Sequence, residues 1–148
     1  MEYESGLPYE KLNIGDKASF SKTISETDIY FFAAISGDFN PAHLNEDYAR
    51  TTPFKRRIAH GFVPISLCAP VVGMKLPGLG TIVIDHYMRF LRPTYIGDTV
   101  TATAEVVEKL PEKKRVKLRL TFVNQNGDLV GEGWVQVIPP GKALPDST

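Results

Sequence analysis

Residues 61–75 read Gly-Phe-Val-Pro-Ile-Ser-Leu-Cys-Ala-Pro-Val-Val-Gly-Met-Lys, and all but the closing Lys75 sit in a run from Ile58 to Met74 that has no Lys, Arg, Asp or Glu. Its length approaches the ~18 residues at which a membrane span becomes a candidate. The run also carries His60, Gly61, Pro64, Ser66, Pro70 and Gly73, a density of polar and helix-breaking residues that suits a helix buried in a protein core rather than in lipid. Pro64 is tolerable in a first turn, whose amides have no intrahelical partner. Pro70 removes an internal hydrogen bond, so the pattern predicts a kink or an early stop there. Pro77-Gly78-Leu79-Gly80 closes the segment as a loop.

Strand patterns surround this helix. Lys17 to Ile24 alternates polar and apolar residues after a Gly15-Asp16 turn and reads as an opening strand. Thr81–Leu91, Thr99–Leu110, Arg115–Asn124 and Leu129–Ile138 are four further candidates. Gly97-Asp98, the charged stretch Pro111 to Lys114 and Asn126-Gly127 mark the joints, the last a strong hairpin signal. Val116, Leu118 and Leu120 alternate with Lys117 and Arg119, so one sheet face is wet and the other dry. The apolar helix must cover the dry face, which gives an α+β domain, an antiparallel sheet wrapped on a central helix. Two shorter helices precede it. One is capped by Ser25, with Ile29, Phe32, Ala33 and Ser36 on its inner stripe and Gly37 at its end; the other runs from Asn45 to Thr51 and is stopped by Pro53. The Pro- and Gly-bearing tail after about residue 140 reads as loose, and residues 1–148 as a single domain.

A chain of 148 residues, 43% hydrophobic and 23% charged, has the length to bury a sizeable core without covalent staples. Seventeen basic residues balance seventeen acidic ones, which argues against a dedicated nucleic-acid or anionic-membrane protein. The single cysteine, Cys68, lies in the apolar run and reads as ordinary core; it excludes an intramolecular disulfide framework, so a reducing, cytoplasmic location is expected. No basic stretch followed by an apolar run marks the N-terminus as a secretory signal.

Gly37-Asp38-Phe39-Asn40-Pro41-Ala42-His43 places an acid, a turn and an imidazole together in a chain with three histidines. Pro41 pushes Asn40 toward an extended conformation, so the backbone must bend between Asp38 and His43. On a straight helix these side chains would point roughly 140° apart at ~3.6 residues per turn; the bend lets them converge. A converging Asp and His are candidates for general acid/base work. The same residues also suit a plain turn, with Asp38 capping it and His43 on the surface.

The stretch Ser36 to Ala49, S-G-D-F-N-P-A-H-L-N-E-D-Y-A, resembles the hydratase signature of the MaoC-like, (R)-specific enoyl-CoA hydratases. The similarity continues through Ile58-Ala59-His60-Gly61-Phe62, Leu76-Pro77-Gly78, Arg89-Phe90-Leu91-Arg92-Pro93 and Gly97-Asp98-Thr99. It implies a hot-dog fold, a long helix wrapped by a curved antiparallel sheet. By position, Asp38 and His43 match the catalytic pair, Asn40 the turn residue beside it, Gly61 the glycine opening the central helix, and Ser66 a helix position close to the pair. Ala42 stands where a larger aliphatic is common, and Pro70 interrupts the helix that shapes the acyl pocket in relatives.

What the resemblance implies is a lyase that hydrates a trans-2-enoyl thioester to the (R)-3-hydroxyacyl thioester, or runs the reverse dehydration. Asp38 and His43 would share one water, and the Gly61 amide would hold the thioester oxygen. Coenzyme A enters as part of the substrate, acyl carrier protein being an alternative carrier, and no cofactor is expected. Arg56 and Arg57 are candidates for the coenzyme A phosphates. His60 with His43, His86 and an aspartate is set aside as a metal set because the positions are scattered, and His60 reads as a buried or capping histidine. Two other functions remain, a hot-dog thioesterase and a non-catalytic acyl-thioester-binding subunit. Relatives pair edge to edge, so a homodimer is expected.

Overall fold

Five strands form one antiparallel sheet in the computed structural model, which describes residues 3–141. They are β1 (Lys17–Thr23), β2 (Ile82–Phe90), β3 (Thr99–Leu110), β4 (Arg115–Val123) and β5 (Leu129–Ile138), in the spatial order β1-β3-β4-β5-β2. The bounds of β3 and β5 are those the alternation predicts, and the other three differ by a residue at one or both ends. The tail expected to be loose falls, from residue 142 onward, outside the described residues.

The inward-facing residues make the core. Val100, Ala102, Ala104 and Val106 of β3 and Val116, Leu118, Leu120 and Phe122 of β4 are all essentially inaccessible. Against them pack Val63, Ile65, Leu67, Val71, Val72 and Leu76 of the apolar run. Each such aliphatic side chain taken out of water contributes roughly 1.5–3 kcal/mol. The small Ala102 and Ala104 let the helical segment approach the sheet. Among the described residues no helix is long and apolar enough to cross a membrane.

Among the described residues five α-helices accompany the sheet, with a 3-10 turn at Tyr9–Lys11: α1 (Glu26–Ser36), α2 (Pro41–Leu44), α3 (Glu46–Thr51), α4 (Phe62–Ile65) and α5 (Cys68–Met74). The central helix is therefore segmented, and the break falls at Ser66-Leu67, ahead of Pro70 where the sequence pattern put it. Both prolines then occupy the third position of their own short helix, where a missing N–H leaves no bond unmade. Ser66 and Leu67 keep right-handed helical dihedrals, and the amides of Leu67 and Ala69 bond three residues back, to Pro64 and Ser66. The chain thus tightens between the two pieces and continues across the sheet.

Local chemistry sets the loop ahead of α4. Ser25 and Asp28 form a reciprocal capping box at the start of α1. At its end Gly37 adopts φ +77°, the left-handed conformation in which a helix terminates at little cost for glycine. The bend expected beyond it is present and contains one helical turn, α2, with Asn40 as its cap and Pro41 in its first position.

Candidate active site

Asp38 leaves α1 with its amide donating to Ser36 Oγ at 3.1 Å and with Oδ1 accepting from the Asn40 amide, also at 3.1 Å. Asn40 Oδ1 in turn accepts from the Ala42 amide at 3.0 Å. Asn40 is thus committed to shaping the turn between acid and imidazole. His43 sits on α2, largely enclosed, and its Nδ1 lies 2.8 Å from the carbonyl of Ile58. A carbonyl can only accept, so Nδ1 carries the proton and Nε2 presents a lone pair. That Nε2 lies 3.8 Å from Asp38 Oδ2.

At 3.8 Å two acceptors are too far apart for a direct hydrogen bond. They are spaced so that a single water can donate one O–H to each, which leaves the water's oxygen lone pairs facing outward. The geometry can therefore hold and deprotonate one water.

His60 joins this pair. It is 2% exposed, stacks on His43 with ring centroids 3.9 Å apart, and donates from Nε2 to the Asp38 carbonyl at 2.9 Å. The donor atoms of Asp38, His43 and His60 all lie within 4.8 Å of one another, so positions that look scattered in sequence form one compact cluster. His86, named with them in the sequence, is not a member of this cluster. Each imidazole, however, already gives one nitrogen to a backbone carbonyl. The contact between residues 43 and 60 is long-range, and the one signal for it in the sequence was the His60-Gly61 pair at the mouth of the apolar run.

Gly61 shares a cavity of about 320 Å³ with His43, the remaining walls including Phe54, Ile58, Pro64, Phe90 and Thr94. Its amide has no acceptor among the described residues. A second, larger and mainly apolar cavity of about 840 Å³ adjoins through Ile65 and Phe90, which line both. Ser66 lies on the wall of that second cavity, its hydroxyl donating to the Val63 carbonyl at 2.7 Å, and does not line the cavity that His43 and Gly61 share. Cys68 lines the same cavity, and burial pushes its thiol up to about 11.

The two candidate phosphate ligands part company. Arg57 is a strut: Nε donates to the His43 carbonyl at 2.7 Å, Nη1 pairs with Glu26 at 2.5 Å, and the guanidinium lies over the Tyr30 ring. Desolvation works against its charge, and the hydrogen bonds and charges of Glu26 and Tyr30 together outweigh it, raising its pKa. Little of Arg57 is left to meet a phosphate. Arg56 is exposed and stacks on the Tyr95 ring, 3.8 Å from its centroid, with its charge open to solvent.

A family profile described as the MaoC like domain matches residues 11–126. An (R)-specific enoyl-CoA hydratase from Rhodospirillum rubrum is 48% identical over 134 residues, 90% of this chain and 92% of that protein. A 3-hydroxybutyryl-CoA dehydratase from Methylorubrum extorquens is 41% identical over 140 residues, 94% and 89% of the two chains. Among solved structures, the R-hydratase PhaJ1 from Pseudomonas aeruginosa superposes with a TM-score of 0.86 at 39% identity, covering 97% of this chain and 96% of the other. With the hot-dog sheet, the Asp-x-Asn-Pro-x-His turn and the profile match all running through the same residues, the chain belongs to the MaoC-like domain family.

Proposed function

We propose that this protein hydrates trans-2-enoyl-CoA to (R)-3-hydroxyacyl-CoA, and catalyses the reverse dehydration, through Asp38 and His43 acting on one water. The observation that carries the reading is the 3.8 Å between His43 Nε2 and Asp38 Oδ2, beside a cavity that also contains Gly61. The water oxygen forms a bond to Cβ while the dyad takes one of its protons. The C=C electron pair moves toward the thioester oxygen, where the free Gly61 amide offers a donor as negative charge develops. A proton returned from the dyad to Cα completes the addition. The R configuration and the coenzyme A carrier are supported by the names of the 48% and 41% identical relatives. Arg56 is the side chain proposed to meet the coenzyme A phosphates, and the adjoining apolar cavity is proposed to take the acyl chain. A homodimer is proposed, since β1 and β2 leave two sheet edges and β2 exposes Val83, Tyr87 and Phe90.

Loss of enoyl absorbance with crotonyl-CoA, followed by chiral analysis of the product, tests this reading. Asp38→Asn and His43→Ala should each lower kcat by about 10²–10⁴-fold. Thiol release without hydration would point instead to a thioesterase, and tight binding of acyl-CoA without turnover to a non-catalytic subunit.

A further inference from the structure

We infer that His60 is a positioning residue for the reaction, holding both members of the dyad at once; the inference rests on the proposed hydratase reading. Two independent contacts carry it. The first is the hydrogen bond from His60 Nε2 to the Asp38 carbonyl at 2.9 Å, which crosses from the start of the central helical segment to the loop after α1. The other hydrogen bonds of Asp38 among the described residues are local, to Ser36 at the end of α1 and from the Asn40 amide, and its side chain is half exposed. The second contact is the stack of His60 on His43, with centroids 3.9 Å apart and an interplanar angle of 30°. On α2 the hydrogen bond to Ile58 fixes one atom of the His43 ring, and a ring bonded at one nitrogen can still tilt about that bond. A second ring against its face removes the tilt.

His60 can do this because it is itself held. Phe32 of α1 packs against it with centroids 4.8 Å apart, and the Val63 amide of α4 donates to its carbonyl at 2.9 Å. Donation from Nε2 to a carbonyl places the proton on Nε2 and leaves Nδ1 as a buried lone pair with no partner in the structure. An asparagine or a phenylalanine in the same space could supply one of the two contacts, and only a histidine-like ring with a donor at its tip supplies both. The chemistry depends on the separation of Nε2 and Oδ2, and an error of about 1 Å in such a placement can cost on the order of 10²-fold in rate.

The test separates the two contacts. His60→Phe keeps a ring against His43 and loses the donor; His60→Gln keeps an N–H donor and loses the ring. His60→Ala loses both. All three, together with Asp38→Asn and His43→Ala, are assayed on crotonyl-CoA, with thermal midpoints recorded and the ring-proton NMR shifts of His43 measured. We expect kcat to fall about 10²-fold in His60→Ala with KM within about twofold, since the lost precision acts on the reacting atoms and not on the carrier. Phe and Gln should each recover part of kcat. The ring-current shift of the His43 protons should persist in His60→Phe and vanish in His60→Gln. If His60→Ala does not fold, the Phe and Gln variants carry the comparison. Wild-type kcat in both Phe and Gln variants while Asp38→Asn and His43→Ala are inactive would overturn the inference and leave the dyad intact. Full turnover in Asp38→Asn and His43→Ala would remove the dyad, and the inference with it.

Discussion

Gly61 occupies ordinary right-handed helical dihedrals, φ −55° and ψ −33°, so its backbone does not require glycine. Space does. A Cβ built there would lie 2.6 Å from Phe90 Cε1 and 2.7 Å from Cδ1. The ring of Phe90 packs edge-on against Phe62 and lines both cavities. Adding one carbon at Gly61 therefore moves a wall of the proposed site. Gly61→Ala should lower stability by about 1–3 kcal/mol, the usual range for overpacking. Adding Phe90→Ala should cancel part of that cost, since a contact between two side chains makes their effects non-additive by at least ~0.5 kcal/mol. Urea unfolding of the two single variants and the double variant measures this, and strict additivity would exclude the Phe90 contact as the cause. The sequence marks Gly61 as the glycine that opens the central helix; the crowding that demands a glycine was not legible, because Phe90 reaches it from a strand 29 residues further on. His60 escaped for the same reason. Its partners Asp38 and His43 are fixed by folding, and no local period announces a stack of two rings.

At the scale of elements, the strands were legible because turn signals separate them and because β3 and β4 alternate buried and more open residues over most of their length. The helices were legible where they carry caps. α1 begins at its capping box and ends at Gly37 as the Ser25 and Gly37 signals required. The break at Ser66-Leu67 was not legible, because a proline reports which amide is missing and not where the hydrogen-bond pattern resets to accommodate it. The end of α1 matters most for function, since Asp38 is the next residue after its Gly37 cap. A Cβ at Gly37 would meet nothing within 4 Å, yet φ is +77°, so any loss on substitution is backbone strain alone. Gly37→Ala should cost about 1–2 kcal/mol. Gly37→Asn should cost less, because asparagine visits the left-handed region more readily. Chemical denaturation ranks the three proteins, and equal losses for Ala and Asn would show that something other than φ is at stake.

The whole molecule is tied across its elements by ion pairs whose carboxylates respond to acid. Glu10 is held below the usual range by its hydrogen bond from Lys114, which joins the N-terminal segment to the turn between β3 and β4. Tyr30 and then Arg57 do the same for Glu26, joining α1 to the segment before α4, and Arg119 for Glu105, joining β3 to β4. Burial works against the charge of Asp28, and the hydrogen bonds from Lys22 and the Ser25 amide outweigh it, so its pKa also ends low. A carboxylate with a lowered folded value contributes stability that is present above its unfolded value. These groups start from 3.8 for Asp28 and 4.5 for the glutamates, and their contribution is lost as pH falls through the lower folded values. His86 acts earlier on the same titration. Desolvation lowers its pKa from 6.5, so the unfolded chain takes up that proton first and stability begins to fall as pH drops below 6.5. Thermal midpoints between pH 8 and pH 3 should therefore decline in two stages, a shallow one below pH 6.5 and a steeper one beginning near the ordinary carboxylate range. His86→Gln should flatten the first stage alone. Glu26→Gln with Glu105→Gln should flatten part of the second and leave the first unchanged, and the second stage should weaken in high salt because one member of each pair is well exposed. A single-stage profile unaffected by His86→Gln would mean that the exposed His86, on the rim of the larger cavity, meets no desolvation that matters to stability.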